Sequence, residues 1–432
     1  VLVVHGTLIP LGENRHIVAD GALRIEGPRI TDIGTSAEIR AKYPGEPCLD
    51  AKGMLVMPGM ICAHTHLDAP FLRGSKRSPT ERSRGLRWKL GLALSYEDIR
   101  YGALVSCITA IRRGTTTLFA QHASPRATPY SLDALAEATL QAGLRACLSY
   151  EVSERLSVAN GRQGIEENVR FAKRIKGEPL LAASMGLASA TLSEGTLAAA
   201  VGAAALANVG FHVHVAAERS DVHDCLTQYG LRPVERLRKR GVLGPRTVAA
   251  DCAFVSLTEM DLLREAKAWV VHTPRAQASE GSELAPIAEM LKRSLSVCLG
   301  SDTFPQDMFH ELQAAYLLYR QRGGPDASPE ELVAQVALQN NAALASRIYR
   351  DKLGELAVGA LADIILVAYP GPTPLNEENW AAHLATGGDA FHVDTTIVGG
   401  QVLMRHGSLL TLDDEAITAR ARELAQQLWA RW

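Results

Sequence analysis

The sequence predicts an α/β chain built as a (β/α)8 TIM-like barrel, with a small β-sandwich domain formed by the N- and C-terminal segments. Three observations point there. Through the middle of the chain, eight short apolar segments alternate with longer helical ones, the rhythm of parallel strands joined by crossover helices. Both ends instead carry short β segments broken by Gly, Pro and Asn. No GxGxxG follows the first strand, which argues against an open dinucleotide-binding sheet.

The elements read in order as follows. Residues 2–4, 22–25 and 30–33 are short strands, and the first helical pattern covers 36–43. The barrel strands are expected at 55–66, 115–120, 146–151, 180–187, 211–216, 247–252, 268–272 and 296–302. Helices between them include 96–112, 132–141, 165–175, 194–207 and 260–266, because apolar residues recur there at helical spacing. Strand character returns at 362–367 and 395–404, with the turn-rich stretch 369–374 between them, and an amphipathic helix closes the chain at 413–432. The expected division is therefore 1–56 plus 359–410 as the small β domain, 57–358 as the barrel and 411–432 as a C-terminal helix.

Composition narrows the function classes. The chain has 432 residues, and 45 Lys plus Arg nearly balance 47 Asp plus Glu. That balance gives no reason to expect a nucleic-acid or membrane partner and leaves a small-molecule substrate. The basic run from Arg73 to Arg87 reads as a solvated loop. Seven scattered cysteines without a CxxC pair fit neither a disulfide framework nor a cysteine zinc site, and suit a reducing cytoplasm. The start of the chain lacks the basic-then-apolar order of a signal peptide, and no apolar run reaches the ~20 residues of a membrane span.

The sharpest motif is PGMICAHTH, residues 58–66. His64 and His66 are one residue apart, so both point to one side of a strand. They fall at the end of the first barrel strand, where active sites of this fold collect. FHVH repeats the spacing with His212 and His214 at the fifth strand, and Asp302 follows the apolar run SVCLG of the eighth. An unpaired carboxylate there would be expensive. Three or four such ligands with an open position describe a catalytic metal site.

These residues carry a resemblance. The chain resembles the amidohydrolase superfamily, in its cytosine/guanine deaminase and chlorohydrolase branch, through PGMICAHTHLD, FHVHVAAE, VVHTPRA, LGSDTF and LGELAVGALADIILV. Within that branch QHASP, GIEENVRFAKRI, DMFHEL and GPTPL make it similar to the SsnA-type aminohydrolases. The resemblance implies one divalent metal per chain, zinc in preference to iron, on His64, His66, His214 and Asp302. It implies a metal-activated hydroxide that attacks an sp² carbon of a small nitrogen-containing, usually heterocyclic, substrate, with Asp302 accepting the proton. His122, Arg155, His272 and Arg275 match positions expected near the substrate or supporting the site. By analogy alone it also allows a homodimer.

Three departures stand out. The family's fifth strand reads His-x-x-Glu, whereas here Ala217 takes that place and Glu218 follows one residue later. A bulge would bring Glu218 into the site as proton carrier; without one it points away. Asp251 stands where the sixth strand usually ends in His, and Ala188 where the fourth strand usually offers one. Asp251 is then a base, a second metal contact or a partner for a cationic substrate. Three readings follow: an aminohydrolase of deaminase type, a dehalogenase or cyclic amide/C–N hydrolase with the same metal, or a degenerate member that binds without turnover.

Overall fold

The structure, a computed structural model, describes all residues except 13–15, 76–82, 190, 191, 282, 324–327 and 432. Its centre is a barrel of eight parallel strands: β1 (Met60–Thr65), β2 (Thr115–His122), β3 (Arg145–Val152), β4 (Leu181–Leu187), β5 (Gly210–Val215), β6 (Thr247–Asp251), β7 (Trp269–His272) and β8 (Ser296–Leu299). Each pairs with its neighbour in sequence order. Ile61, Ala63, Phe119, Cys147, Val248, Val271 and Cys298 fill the interior, so the barrel is a packed core rather than a pore. The helices expected from periodicity are present. Tyr96–Arg112 begins at a Ser95–Asp98 capping box, which satisfies two of its orphan backbone donors.

The expected single strand over 55–66 divides in two. Leu55–Pro58 joins the terminal sheet and Met60–Thr65 becomes β1. Gly59 lies at the division, where a Cβ would fall 2.2 Å from Thr116 Cγ2, so only hydrogen fits between the layers. The expected strand 395–404 likewise divides, into His392–Val398 and Gln401–Arg405, around Gly399 and Gly400 at positive φ.

Both ends of the chain meet in one nine-stranded mixed sheet. Leu55–Pro58 pairs with Ile364–Ala368, and this contact joins the N-terminal strands to the C-terminal ones. The sheet is tied to the base of the barrel by a buried bidentate pair, Arg145 Nε to Asp363 Oδ2 at 2.9 Å and Nη2 to Oδ1 at 3.1 Å. The last helix, Asp414–Arg431, returns to the barrel: Trp429 Nε1 donates to the Phe71 carbonyl and Arg431 to Asp98. No helix among the described residues is long and apolar enough to cross a membrane.

Closure of the barrel positions the site. Thr65 and Asp302 form a parallel bridge; Ser301 N donates to His64 O at 2.8 Å, and His66 N to Asp302 O at 3.0 Å. Gly300 makes this approach possible, because a Cβ there would lie 2.7 Å from both the nitrogen and the oxygen of His64. Gly300→Ala should therefore pry the seam apart. The expected loss is about 1–3 kcal/mol of unfolding free energy by urea denaturation, and unchanged stability would show that the seam has slack.

Candidate metal centre

Three imidazoles converge at the seam. The Nε2 atoms of His64 and His66 (β1 and its following residue) and of His214 (β5) are buried without a hydrogen-bond partner. The three histidines each offer a ligand nitrogen within 4.8 Å of the others. Asp302 Oδ1 lies 3.0 Å from His66 Nε2 and 3.5 Å from His64 Nε2. Three orphaned nitrogens around one point are costly unless something fills it. A tetrahedral cation with imidazole and carboxylate ligands fits this donor set.

The opposite ring nitrogens are all engaged. His64 Nδ1 meets His212 Nε2 at 2.8 Å, His66 Nδ1 donates to the Gln121 carbonyl at 2.6 Å, and His214 Nδ1 donates to Asp251 Oδ2 at 2.8 Å. A proton on each Nδ1 leaves each Nε2 as a lone pair aimed at the shared point. Gln121 Nε2 donates in turn to the His212 carbonyl, and Ser189 Oγ to the His214 carbonyl. Burial pushes the His64 imidazole down to about 4 and holds His66 below its usual value, so both are neutral near pH 7.

Several of the chain's non-glycine residues at positive φ lie at the same strand ends. Ala216, Asp251, Cys252 and Asp302 all take positive φ, between 45° and 74°. Non-glycine residues hold such angles only where their surroundings enforce them, at about 1–3 kcal/mol each. This geometry resolves the question of Glu218. The β5–β6 ladder keeps unbroken register as far as Val215 and Asp251, so there is no bulge. Instead the chain turns at Ala216, and Glu218 lines the same cavity as His214, Asp251 and Asp302.

The other sequence-predicted residues separate. His122 is buried beside the site: its Nδ1 is 3.4 Å from Asp68 and its Nε2 is 2.9 Å from Ser124 Oγ. Arg155 is exposed, stacked on the Trp88 ring at 4.7 Å. His272 does not face the metal centre. It sits on the outer side of β7, because Val271 takes the inner side, and lines a different cavity of about 250 Å³ with Ala285, Leu318 and Tyr319. Arg275 is engaged by the chain itself: Nε donates to Glu311 at 2.6 Å and Nη2 to Pro305 O at 2.6 Å, which ties down the loop after Asp302. Asp251 lines the cavity and accepts from His214 Nδ1.

Sequence reasoning missed four contributors. His212 was visible in FHVH but not as the partner of His64. Glu151, at the end of β3, has Oε2 3.8 Å from His214 Nε2; a carboxylate closing an apolar strand is the signal that revealed Asp302. Arg84 and Arg87 line the cavity, so the basic run is not simply a solvated loop, although its residues 76–82 lie outside those described. Arg73 is exposed. The i, i+3 spacing of the two arginines on the helix Ser83–Ala93 was their signal.

Comparison with known proteins places these features in context. The family model described as "Amidohydrolase family" matches residues 55–403. The chain is 29% identical to the 5'-deoxyadenosine deaminase of Methanosarcina mazei, over 100% of this chain and 99% of that one. Among solved structures it resembles an adenosine deaminase from Xanthomonas campestris with bound zinc, at TM-score 0.89 and 20% identity, covering 99% of this chain and 98% of the other. The zinc complex of atrazine chlorohydrolase from Arthrobacter aurescens gives TM-score 0.84 and 21% identity, covering 98% and 99%.

Two outcomes follow. Asp251→Ala frees His214 Nδ1, and zinc affinity by chelator competition should fall about 10–100-fold; unchanged affinity removes Asp251 from this role. His272, away from the metal, is held down to about 4 by burial. Its folded form stays neutral while the unfolded chain takes up a proton below about 6.5. Its contribution to stability is thus complete above that pH and is lost as pH falls toward 4. His272→Gln should shrink the drop in melting temperature of the metal-free protein across that window.

Proposed function

Because the chain belongs to the amidohydrolase family, we propose that it is a metal-dependent hydrolase of aminohydrolase type. Its reaction replaces the amino group on a carbon of a small nitrogen heterocycle by the oxygen of water, releasing ammonia. The observation that carries this reading is the trio of buried, partnerless Nε2 atoms, each backed by an acceptor on its far side.

His64, His66, His214 and Asp302 would hold the cation, one per chain. Zinc is the favoured ion, being the metal in both solved relatives described above. A divalent cation, when bound, supplies the Lewis acidity that makes water a nucleophile near neutral pH.

The chain's own residues do the rest. Asp302 stands beside the histidine nitrogens and would take the proton of the attacking water. The His64 and His66 rings beside it outweigh the effect of burial and hold its carboxyl well below the usual range. It is therefore ionised before reaction, as a proton acceptor must be. Glu218 lines the cavity and would pass one proton of the water to the substrate nitrogen and the second, from the newly added hydroxyl, to the leaving amine, which departs as ammonia. Asp251 fixes the orientation and proton position of His214, and His212 does the same for His64. His122 and Asp68 support the wall behind His66.

The test is metal analysis joined to an ammonia-release screen over aminated nitrogen heterocycles. About one zinc per chain is expected, lost in His64→Ala. Glu218→Gln should keep its zinc yet turn over about 10²-fold more slowly. Full activity in that variant, or activity without metal, contradicts the assignment.

A further inference from the structure

The cavity beside the metal centre is charged on one side by arginines that the catalytic chemistry does not use. Arg84 and Arg87 project into it from one face of Ser83–Ala93. Arg84 is already committed, its Nη1 shared between the two carboxylate oxygens of Asp221 at 2.8 and 3.1 Å. Asp221 in turn accepts from the backbone of Ala217 and Glu218, which seats this pair against the catalytic turn. Arg87 is different. Its side chain is only 13% exposed, and its ion-pair partner among the described residues is Glu151 Oε2 at 3.6 Å. That is beyond the 2.7–2.9 Å typical of a charge-assisted hydrogen bond. Of the acids that line this cavity, Asp251 is held by His214 and Asp302 lies against His64 and His66, while Glu218 and Glu280 complete the lining.

We propose that Arg87, steadied by Glu151 and with Arg84 beside it, binds a carboxylate on the substrate, making this a hydrolase of acid-bearing amino heterocycles. The inference rests on the hydrolase reading and adds the substrate class. A guanidinium offers a planar fork of donors that matches a carboxylate in two parallel bonds. A largely desolvated Arg gains more from such a partner than a surface Arg does.

Binding is measured by calorimetry with two matched pairs: cytosine and cytosine-5-carboxylate, and 4-aminopyrimidine and 4-aminopyrimidine-5-carboxylate. Zinc-loaded and metal-free protein are both used, because a carboxylate also binds zinc. The carboxylated member should bind at least tenfold tighter than its parent in both forms. R87Q should abolish the difference, and R87K, with charge but no fork, should keep part of it. If R87Q does not fold, R87K and R84Q carry the comparison. A preference that needs zinc and survives in R87Q overturns the proposal, as does equal or absent binding of both members. The hydrolase reading fails separately: an Arg87-dependent preference without zinc uptake or ammonia release would sink that reading and leave only the contact between Arg87 and a ligand carboxylate standing.

Discussion

Between β8 and β1 the barrel closes through a few backbone hydrogen bonds, and the residues that make them are the residues of the site. Ser301 and Asp302 bond to the backbone of His64 and His66. Closing the barrel therefore brings the Asp302 carboxylate to the two imidazoles. His214 arrives from β5, across the barrel mouth, and only closure brings it within reach. Gly300 is small because the seam passes against His64 there. Stability and chemistry thus share one contact, and the site cannot loosen without opening the barrel.

The imidazoles are fixed from behind. A ring with a free Nδ1 can rotate or exchange protons between its nitrogens; a ring whose Nδ1 is held presents the same Nε2 at all times. The three holders differ in kind: a second imidazole for His64, a backbone carbonyl for His66 and a carboxylate for His214. Strained backbone at Ala216, Asp251, Cys252 and Asp302 shows that the surroundings over-determine these strand ends. Burial alone would raise the Glu151 pKa; the Arg87 guanidinium leads the charges that outweigh it and keep that carboxyl below its usual range. The arginines therefore help keep the acidic mouth of the barrel ionised as well as marking one wall.

More distant parts stiffen this arrangement. The Arg275–Glu311 pair anchors the loop that follows Asp302. Glu311 is fully buried, and burial pushes its carboxyl up to about 7 despite Arg275. At the other end of the barrel, the Arg145–Asp363 pair locks the terminal sheet to β3. Breaking one partner of such a pair strands a buried charge, at about 3–5 kcal/mol.

The sequence by itself determined the barrel, because alternating apolar strands and helical stretches have few other solutions, and it determined the histidine pairs, because period-two spacing is local. His64, His66, His214 and Asp302 were legible as strand-end residues on the same argument. Tertiary structure decided everything that depends on which side of a strand end faces inward. It placed Glu218 in the cavity through a turn at Ala216 rather than a bulge, gave Asp251 to His214, and turned His272 outward to a separate cavity. It also brought Arg84 and Arg87 to the metal centre from a stretch that composition described only as basic. Their positions follow from how a helix after β1 lies across the barrel mouth. Local sequence carries no record of that, since side-chain direction at a strand end or on a crossing helix is set by packing against residues far away in the chain.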